Sequence, residues 1–318
     1  MVSFNYSGPM PGPAATGCRG GWWAALRSTG IGPLVLTLMV FVGRGHAGEA
    51  VRDGEVEAQL ISAATSLVPG QVATIGLRLK MDPGWHTYWA NPGDSGMPTQ
   101  IDWRLPEGYE ISDFQWPAPK RHVEAGLASY IYEDEVVLPL RLTVPDTAEA
   151  GDQITLAATA GWLVCRDICS PGGAELSLSL PVSDSATEAA IDPRWVDLFR
   201  AADTLRPRLY PRAKLSILRV DGGYRITVDD PALESPWVAV DGNAEFFSLD
   251  PQAIDMAARQ TLRPAEGAGL ALFVADHRFS KQRPEHLRGV LIFRDGSQSR
   301  VYAVDEPIRE KPAADPSF

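Results

Sequence analysis

From Glu55 to Val182 apolar side chains return at every second position, in one short run after another. Val56, Ala58 and Leu60 form one run, Ile75, Leu77 and Leu79 another, and Val136, Leu138, Leu140, Leu142 and Val144 a third. Ile154, Leu156 and Ala158 follow, then Leu176, Leu178, Leu180 and Val182. Successive side chains of a strand point to opposite faces, so a period of two buries one face and wets the other. Many short strands of this kind predict an all-β fold of antiparallel sheets packed as a sandwich. Pro139 falls inside the third run, has no N–H for a ladder, and predicts an edge strand or a bulge there.

Between the strand ending near Lys80 and the one starting near Glu135 lies a stretch rich in Pro, Gly and aromatic residues. It contains Pro83-Gly84-Trp85-His86-Thr87-Tyr88-Trp89, then Asn91-Pro92-Gly93-Asp94-Ser95-Gly96, then Phe114-Gln115-Trp116-Pro117-Ala118-Pro119. Long connections are either functional or disordered, and the aromatic content argues for order. Ile101-Asp102-Trp103 reads as a strand within it.

Ser183 to Glu188 reads as a polar linker. After it Asp192 stands as an N-cap and Pro193 as the first residue of a helix with Trp195, Leu198, Phe199 and Ala202 at helical spacing, ended by Arg206-Pro207. A second β-rich unit follows, with Asp221-Gly222-Gly223 and Asp295-Gly296 as hairpin turns and Pro251 to Arg259 as a short helix. The organisation read from the sequence is a signal peptide over 1–47, a sandwich over 50–184, a second β-sandwich over 190–308 and a flexible tail over 309–318.

Arg19 and Arg27 precede an apolar run, Ile31 to Val42, that is followed by small residues and Ala47, the pattern of a secretory signal. The run falls short of the roughly 20 residues that span a bilayer, although an uncleaved anchor is the alternative reading. Cleavage is expected near Ala47 or Ala50, which would remove Cys18. Later segments show no apolar run of membrane-spanning length, so the expected home is the periplasm, as a soluble chain where a disulfide persists. The chain carries 40 acidic against 29 basic residues, a net −11. The leader contributes Arg19, Arg27 and Arg44 and no acidic residue, so the mature chain is more acidic still. Such a surface repels phosphate backbones and argues against a nucleic-acid partner.

After export two thiols remain, Cys165 and Cys169, in Trp162-Leu163-Val164-Cys165-Arg166-Asp167-Ile168-Cys169-Ser170-Pro171. The strand from Ile154 to Ala160 runs toward the first and the strand from Glu175 to Val182 runs away from the second, so the two flank a three-residue connection. Opposed residues of an antiparallel pair lie at a separation a disulfide accepts. A structural staple is the plain reading, but so small a ring returns only about 2 kcal/mol against roughly 3 for a fifteen-residue loop. Redox exchange is the leading reading, with a staple and metal binding behind it. Arg166 favours a thiolate, Asp167 opposes it, and Ser170-Pro171 is expected to interrupt the strand and leave a sulfur at the rim.

Trp162-Leu163-Val164-Cys165 with Cys169, Gly84 to Trp89, Leu105-Pro106-Glu107-Gly108-Tyr109, and Tyr130-Ile131-Tyr132-Glu133-Asp134 leading into Val136 to Leu140 occur in order. Together they resemble the amino-terminal periplasmic domain of the DsbD disulfide reductase family, and more closely its ScsB-type copper-tolerance relatives, over about residues 55 to 182. Residues 190 to 308 resemble the second immunoglobulin-like unit of the ScsB-type members. The resemblance implies two immunoglobulin-like sandwiches in tandem, joined by a short helix. It implies a disulfide that takes electrons from a membrane-embedded donor of DsbD type and passes them to periplasmic thioredoxin-fold proteins, without a cofactor or a bound metal. Cytochrome c biogenesis and copper tolerance are the processes it brings with it.

By the same resemblance Cys169 forms the mixed disulfide and Cys165 resolves it. An aromatic cap would fall near Asp113-Phe114-Gln115-Trp116, so that Phe114, Trp116, Tyr130, Tyr132 and Trp162 are candidates for a lid over the pair, against the plainer reading of sandwich core. The cysteine spacing is narrower than in DsbD itself and the cap sequence is not reproduced. The resemblance does not extend to the family's transmembrane region or its carboxy-terminal thioredoxin-like domain, so the chain is not expected to relay electrons across a membrane alone.

Two other classes compete. A copper module would use the same two thiols with Met81 or Met97 as soft ligands, and a pure interaction sandwich would keep the bridge as a staple. His86 and His122 admit proton transfer or metal binding, beside the plainer reading of solvated or hydrogen-bonded histidines. Glycine-rich phosphate loops, Ser-His-Asp patterns and metal-protease motifs do not stand out, which leaves hydrolase chemistry without support.

Overall fold

The computed structural model describes residues 48–184, 190–233, 242–265, 269–277, 284–296 and 298–310. The expected signal peptide with Cys18, the tail beyond Glu310 and most of the polar linker lie outside these residues. The first half builds eleven strands: β1 Val51–Asp53, β2 Val56–Ser62, β3 Val72–Met81, β4 His86–Gly93, β5 Gln100–Arg104, β6 Glu110–Ile111, β7 Lys120–Glu124, β8 Leu127–Glu133, β9 Glu135–Thr143, β10 Gln153–Cys165 and β11 Cys169–Pro181. They form two antiparallel sheets, one ordered β1-β2-β3-β9-β6 and the other β11-β10-β4-β8-β7 with β5 added alongside β10. The period-two residues of the sequence supply the buried faces, with Val56, Leu60, Leu77, Leu138 and Leu156 fully buried. The expected all-β fold is what the chain adopts, and β5 confirms the strand at Ile101-Asp102-Trp103.

Pro139 sits inside the regular ladder of β9 with β3, opposite Gly76, so there is no bulge. Its other side explains why it is tolerated. The partner strand β6 meets β9 only at Thr143 and Leu142, and beside Pro139 the irregular segment runs past, with Gln115 donating its N–H to the Pro139 carbonyl at 2.7 Å. Carbonyl and nitrogen of one strand residue point the same way, so the missing donor faces a loop rather than a ladder.

Among the described residues one α-helix, α1, spans Val196–Thr204 with Trp195 as its N-cap residue. It begins later than Asp192-Pro193 promised. The Asp192 carboxylate is taken by Arg194 at 2.6 Å, and its carbonyl accepts the Trp195 N–H at 3.2 Å, which makes a turn ahead of the helix. Trp195, Leu198, Phe199 and Ala202 pack on Ile61 and Val137. Those two residues belong to the otherwise outward faces of β2 and β9, so the helix covers one sandwich face that the alternation alone would leave wet. Gly76 permits this contact, because a Cβ there would stand 2.6 Å from Val137 Cγ1 and 3.1 Å from the Phe199 ring.

The second half folds as one seven-stranded sheet: β12 Lys214–Val220, β13 Gly223–Asp229, β14 Ala244–Ser248, β15 Thr261–Pro264, β16 Leu270–Ala275, β17 His286–Asp295 and β18 Gln298–Arg309. Its order is β14-β17-β18-β12-β13-β16-β15, antiparallel except for a short parallel contact of β12 with β18 at Ile217 and Leu218. Hairpins join β12 to β13 and β17 to β18 at the two Asp-Gly turns read from the sequence. Residues 251–259 form turns instead of the expected short helix. Ser248 Oγ accepts the Asp250 N–H, and the Asp255 carboxylate accepts the Ala258 N–H, so local side-chain bonds claim donors a helix would need.

The halves share a core. Phe247 on β14 is fully buried and meets the Tyr130 ring at 5.0 Å and the Trp89 ring at 6.3 Å, both edge-on. Around it Asn91 donates to the Ser248 carbonyl at 2.8 Å, and Arg121 reaches the Ala258 carbonyl at 2.8 Å and Glu245 at 3.3 Å.

Candidate functional site

Strands β10 and β11 form a hairpin whose register runs without interruption from Gln153 opposite Pro181 to Cys165 opposite Cys169. Arg166, Asp167 and Ile168 connect them, as the spacing predicts, and the cysteines are joined by a disulfide with Cα atoms 4.1 Å apart. Ser170-Pro171 does not interrupt the strand as expected, since β11 starts at Cys169 and passes through both. The reason is position: β11 is the edge of its sheet, where a proline costs no ladder bond on the open side.

The two sulfurs stand in different surroundings. Along β10, Trp162 and Val164 turn into the main core, so Leu163 and Cys165 turn to the other face. There Cys165, 3% exposed, packs with the buried Tyr88 and Ile131 and with Leu163 at their margin. Cys169 is exposed, and so is Ile168 beside it. Tyr88 carries its hydroxyl to 3.8 Å from Cys169 Sγ. Burial pushes the Tyr88 phenol up, so it stays a neutral hydroxyl and can donate to a sulfur anion.

The loop that carries Gly96 packs against the Tyr88 ring. A Cβ at Gly96 would stand only 2.2 Å from that ring, and Gly96 has φ +103°, so the close approach and the backbone both require glycine.

His86 begins β4 and is the direct register partner of Cys165 on one side and of Glu133 on the other. Its ring lies 5.3 Å from that of Tyr88 and 5.8 Å from that of His122 on β7. Burial lowers its pKa first and the nearby His122 lowers it further, against Glu133 and Glu124, which raise it. The Arg166 guanidinium stacks over Trp85 at 5.1 Å and pairs with Asp167 at 2.9 Å. The opposed effects read for Arg166 and Asp167 are thus joined in one ion pair.

The aromatic residues expected to form a lid do not gather with Cys165. Tyr130, Tyr132 and Trp162 belong to the main core, on the opposite parity from Ile131, Leu163 and Cys165, and the Tyr132 hydroxyl donates to the Pro117 carbonyl at 2.6 Å. Phe114 and Trp116 pack against each other at 5.2 Å and against that same core. Tyr88, Ile131, Leu163 and Gly96 are the neighbours the sequence reading missed. Strand parity was the signal that could have found the first three, since each lies an odd step from a core aromatic. Among the described residues no group of three or more His, Cys, Asp or Glu is placed to hold a metal ion. Of the two methionines considered as soft ligands, Met81 is buried in the main core and Met97 is exposed. No helix among the described residues is long and apolar enough to cross a membrane.

The family described as Thiol:disulfide interchange protein DsbD, N-terminal, matches residues 57–181. Among solved structures the chain is similar to the N-terminal periplasmic domain of ScsB from Proteus mirabilis, with a TM-score of 0.56 and 16% identity, over 83% of this chain and 99% of that one. At that identity the likeness speaks for the fold. The GAE domain of yeast GGA1 follows at a TM-score of 0.25 and 9% identity, over 42% of this chain and 98% of that one, too low to bear on the fold. No curated protein matches. Residues 57–181, which contain both cysteines, are therefore a domain of the DsbD amino-terminal type.

Proposed function

We propose that the protein exchanges its Cys165–Cys169 pair with dithiols and disulfides of partner proteins in the periplasm. The observation that carries this reading is the inequality of the two sulfurs, one exposed at the end of a hairpin and the other buried behind it. In the reduced protein the Cys169 thiolate attacks a partner disulfide, forms a mixed disulfide and releases one partner thiol. The Cys165 thiolate then attacks Cys169 Sγ, which closes the intramolecular bridge and frees the second partner thiol. Two electrons and two protons pass to the partner. A donor dithiol re-reduces the bridge by the reverse sequence, attacking at Cys169 because that sulfur alone is open.

Partners with a thioredoxin-fold active site suit a sulfur at the tip of a hairpin, since both chains can present an exposed cysteine edge. The family likeness supports a membrane-embedded electron donor of DsbD type upstream and periplasmic thioredoxin-fold acceptors downstream. The test is a trap. Cys165→Ser leaves Cys169 without its resolving partner, so mixed disulfides formed in the periplasm should accumulate and be released by dithiothreitol, with a thioredoxin-fold protein among them. The matching Cys169→Ser variant should trap nothing. If both variants stay empty, and the wild-type bridge resists dithiothreitol in the folded protein, the pair is a staple.

A further inference from the structure

Resting on this exchange reading, we propose that His86 is the proton acceptor that turns Cys165 into a thiolate while a partner is held on Cys169. The resolving step has a built-in difficulty. Cys165 sits among Tyr88, Ile131 and Leu163, and burial among apolar groups disfavours the charged form of a thiol. Only the thiolate can attack, so a buried resolving cysteine needs a base beside it.

The register supplies one. His86 is directly opposite Cys165, and opposed residues of an antiparallel pair project from the same face with Cβ atoms about 5 Å apart. Tyr88, two residues along the same strand, stands on that face too, within the cluster that contains Cys165. His86 is half-buried and held short of its ordinary proton affinity by burial and by His122, so it is a free base at neutral pH. The charged and titratable groups that face it are Glu133 on β8, His122 and Glu124 on β7, and Tyr88 on its own strand. Lys120 is paired with Glu133 at 2.8 Å, and Arg166 with Asp167, so neither cation is left to stabilise the thiolate alone.

The Cys165 S–H proton passes to the imidazole of His86, giving an imidazolium beside a thiolate, with Glu133 and Glu124 favouring the new cation. The thiolate attacks Cys169 Sγ, the bond from Cys169 to the partner breaks, and the partner sulfur leaves as a thiolate. That leaving thiolate, or water, takes the proton from His86.

The probe is 5,5′-dithiobis(2-nitrobenzoate) added to the reduced protein, which releases one coloured thiolate when Cys169 attacks and a second when Cys165 resolves the mixed disulfide. In His86→Gln the second release should slow about tenfold or more at pH 7, the low end of what a positioned base contributes. The gap should shrink to less than about twofold near pH 9.5, where the thiol ionises unaided. The first release should change little. His122→Gln provides a second readout that leaves the base in place: removing the neighbouring imidazole, which lowers the His86 pKa, should move the acid limb of the second-phase pH profile to higher pH. A second phase that is unchanged at every pH in His86→Gln, or an acid limb that does not move in His122→Gln, overturns the assignment to His86. A wild-type protein that shows no second release at all instead overturns the exchange reading on which it rests.

Discussion

At the scale of single residues the site is decided by parity. Trp162, Tyr130 and Tyr132 are the large aromatics that catch the eye in the sequence, and each turns into the core. Their immediate neighbours Leu163 and Ile131 turn the other way, to the face that holds Cys165. A one-residue step separates a packing role from a chemical one. Tyr88 stands on that face as well, with its hydroxyl 3.8 Å from the exposed Cys169 sulfur. In the oxidised state a hydroxyl near a disulfide sulfur is worth little, but a hydrogen bond to a thiolate is charge-assisted and stronger. Tyr88→Phe should therefore leave the stability of the oxidised protein within about 0.5 kcal/mol, since the ring and its contact with Gly96 remain. The same change should raise the Cys169 thiol pKa and slow its alkylation by iodoacetamide at pH 7 about three- to tenfold, for a hydrogen bond worth about 1 kcal/mol. A pH titration of the alkylation rate measures both. An unchanged midpoint would mean that the hydroxyl turns elsewhere once the bridge opens.

At the scale of elements, what was legible and what was not divides along the period of the pattern. Runs such as Val56 to Leu60 and Leu176 to Val182 were readable because half-buried strands write their geometry directly into the sequence. The hairpin that brings Cys165 opposite Cys169 was readable for the same reason, with β10 and β11 converging on three residues. The start of α1 was not, because Asp192 and Pro193 satisfy the local rule for a helix entry while Arg194 diverts the capping carboxylate. Nor does alternation reveal that Ile61 and Val137, on the nominally wet side of their strands, are buried by that helix. Its contact is a small separate core, and this gives a clean prediction. Phe199→Ala removes the ring that fits over Gly76 and should destabilise the protein by about 1–3 kcal/mol, less than for a fully buried phenylalanine because Phe199 is only partly buried. Urea unfolding gives the value, and the rate at which dithiothreitol opens the bridge in native conditions should stay unchanged, because the helix packs on the other sheet. A faster opening would tie α1 to the site.

At the scale of the whole molecule the two β-rich halves read from the sequence meet in a shared core. The polar linker and the change of motif after Val182 read as a boundary between two β-rich units, and Phe247 from the second packs against Trp89 and Tyr130 of the first. Long-range packing of this kind leaves no local mark, since a phenylalanine on a strand looks the same whichever sheet it faces. The contact has a consequence for the site, because Trp89 and Tyr130 sit on β4 and β8, the strands that also carry His86, Tyr88 and Ile131. The second half thus braces the inner side of the sheet whose outer side holds Cys165. Around Phe247 the polar contacts of Asn91 and Arg121 need the same seating to keep their partners. Phe247→Ala should cost about 3–5 kcal/mol, the usual loss for a fully buried aromatic, and should do so as a single cooperative event. Calorimetry of the oxidised protein should show one transition that moves to lower temperature in the variant. The fluorescence of tryptophans in the first half and the far-ultraviolet signal of the whole chain should fall together in urea. Two separated transitions in the wild-type protein, with only one of them moved by the substitution, would show instead that the halves fold independently and that the bracing of the sheet does not reach the bridge.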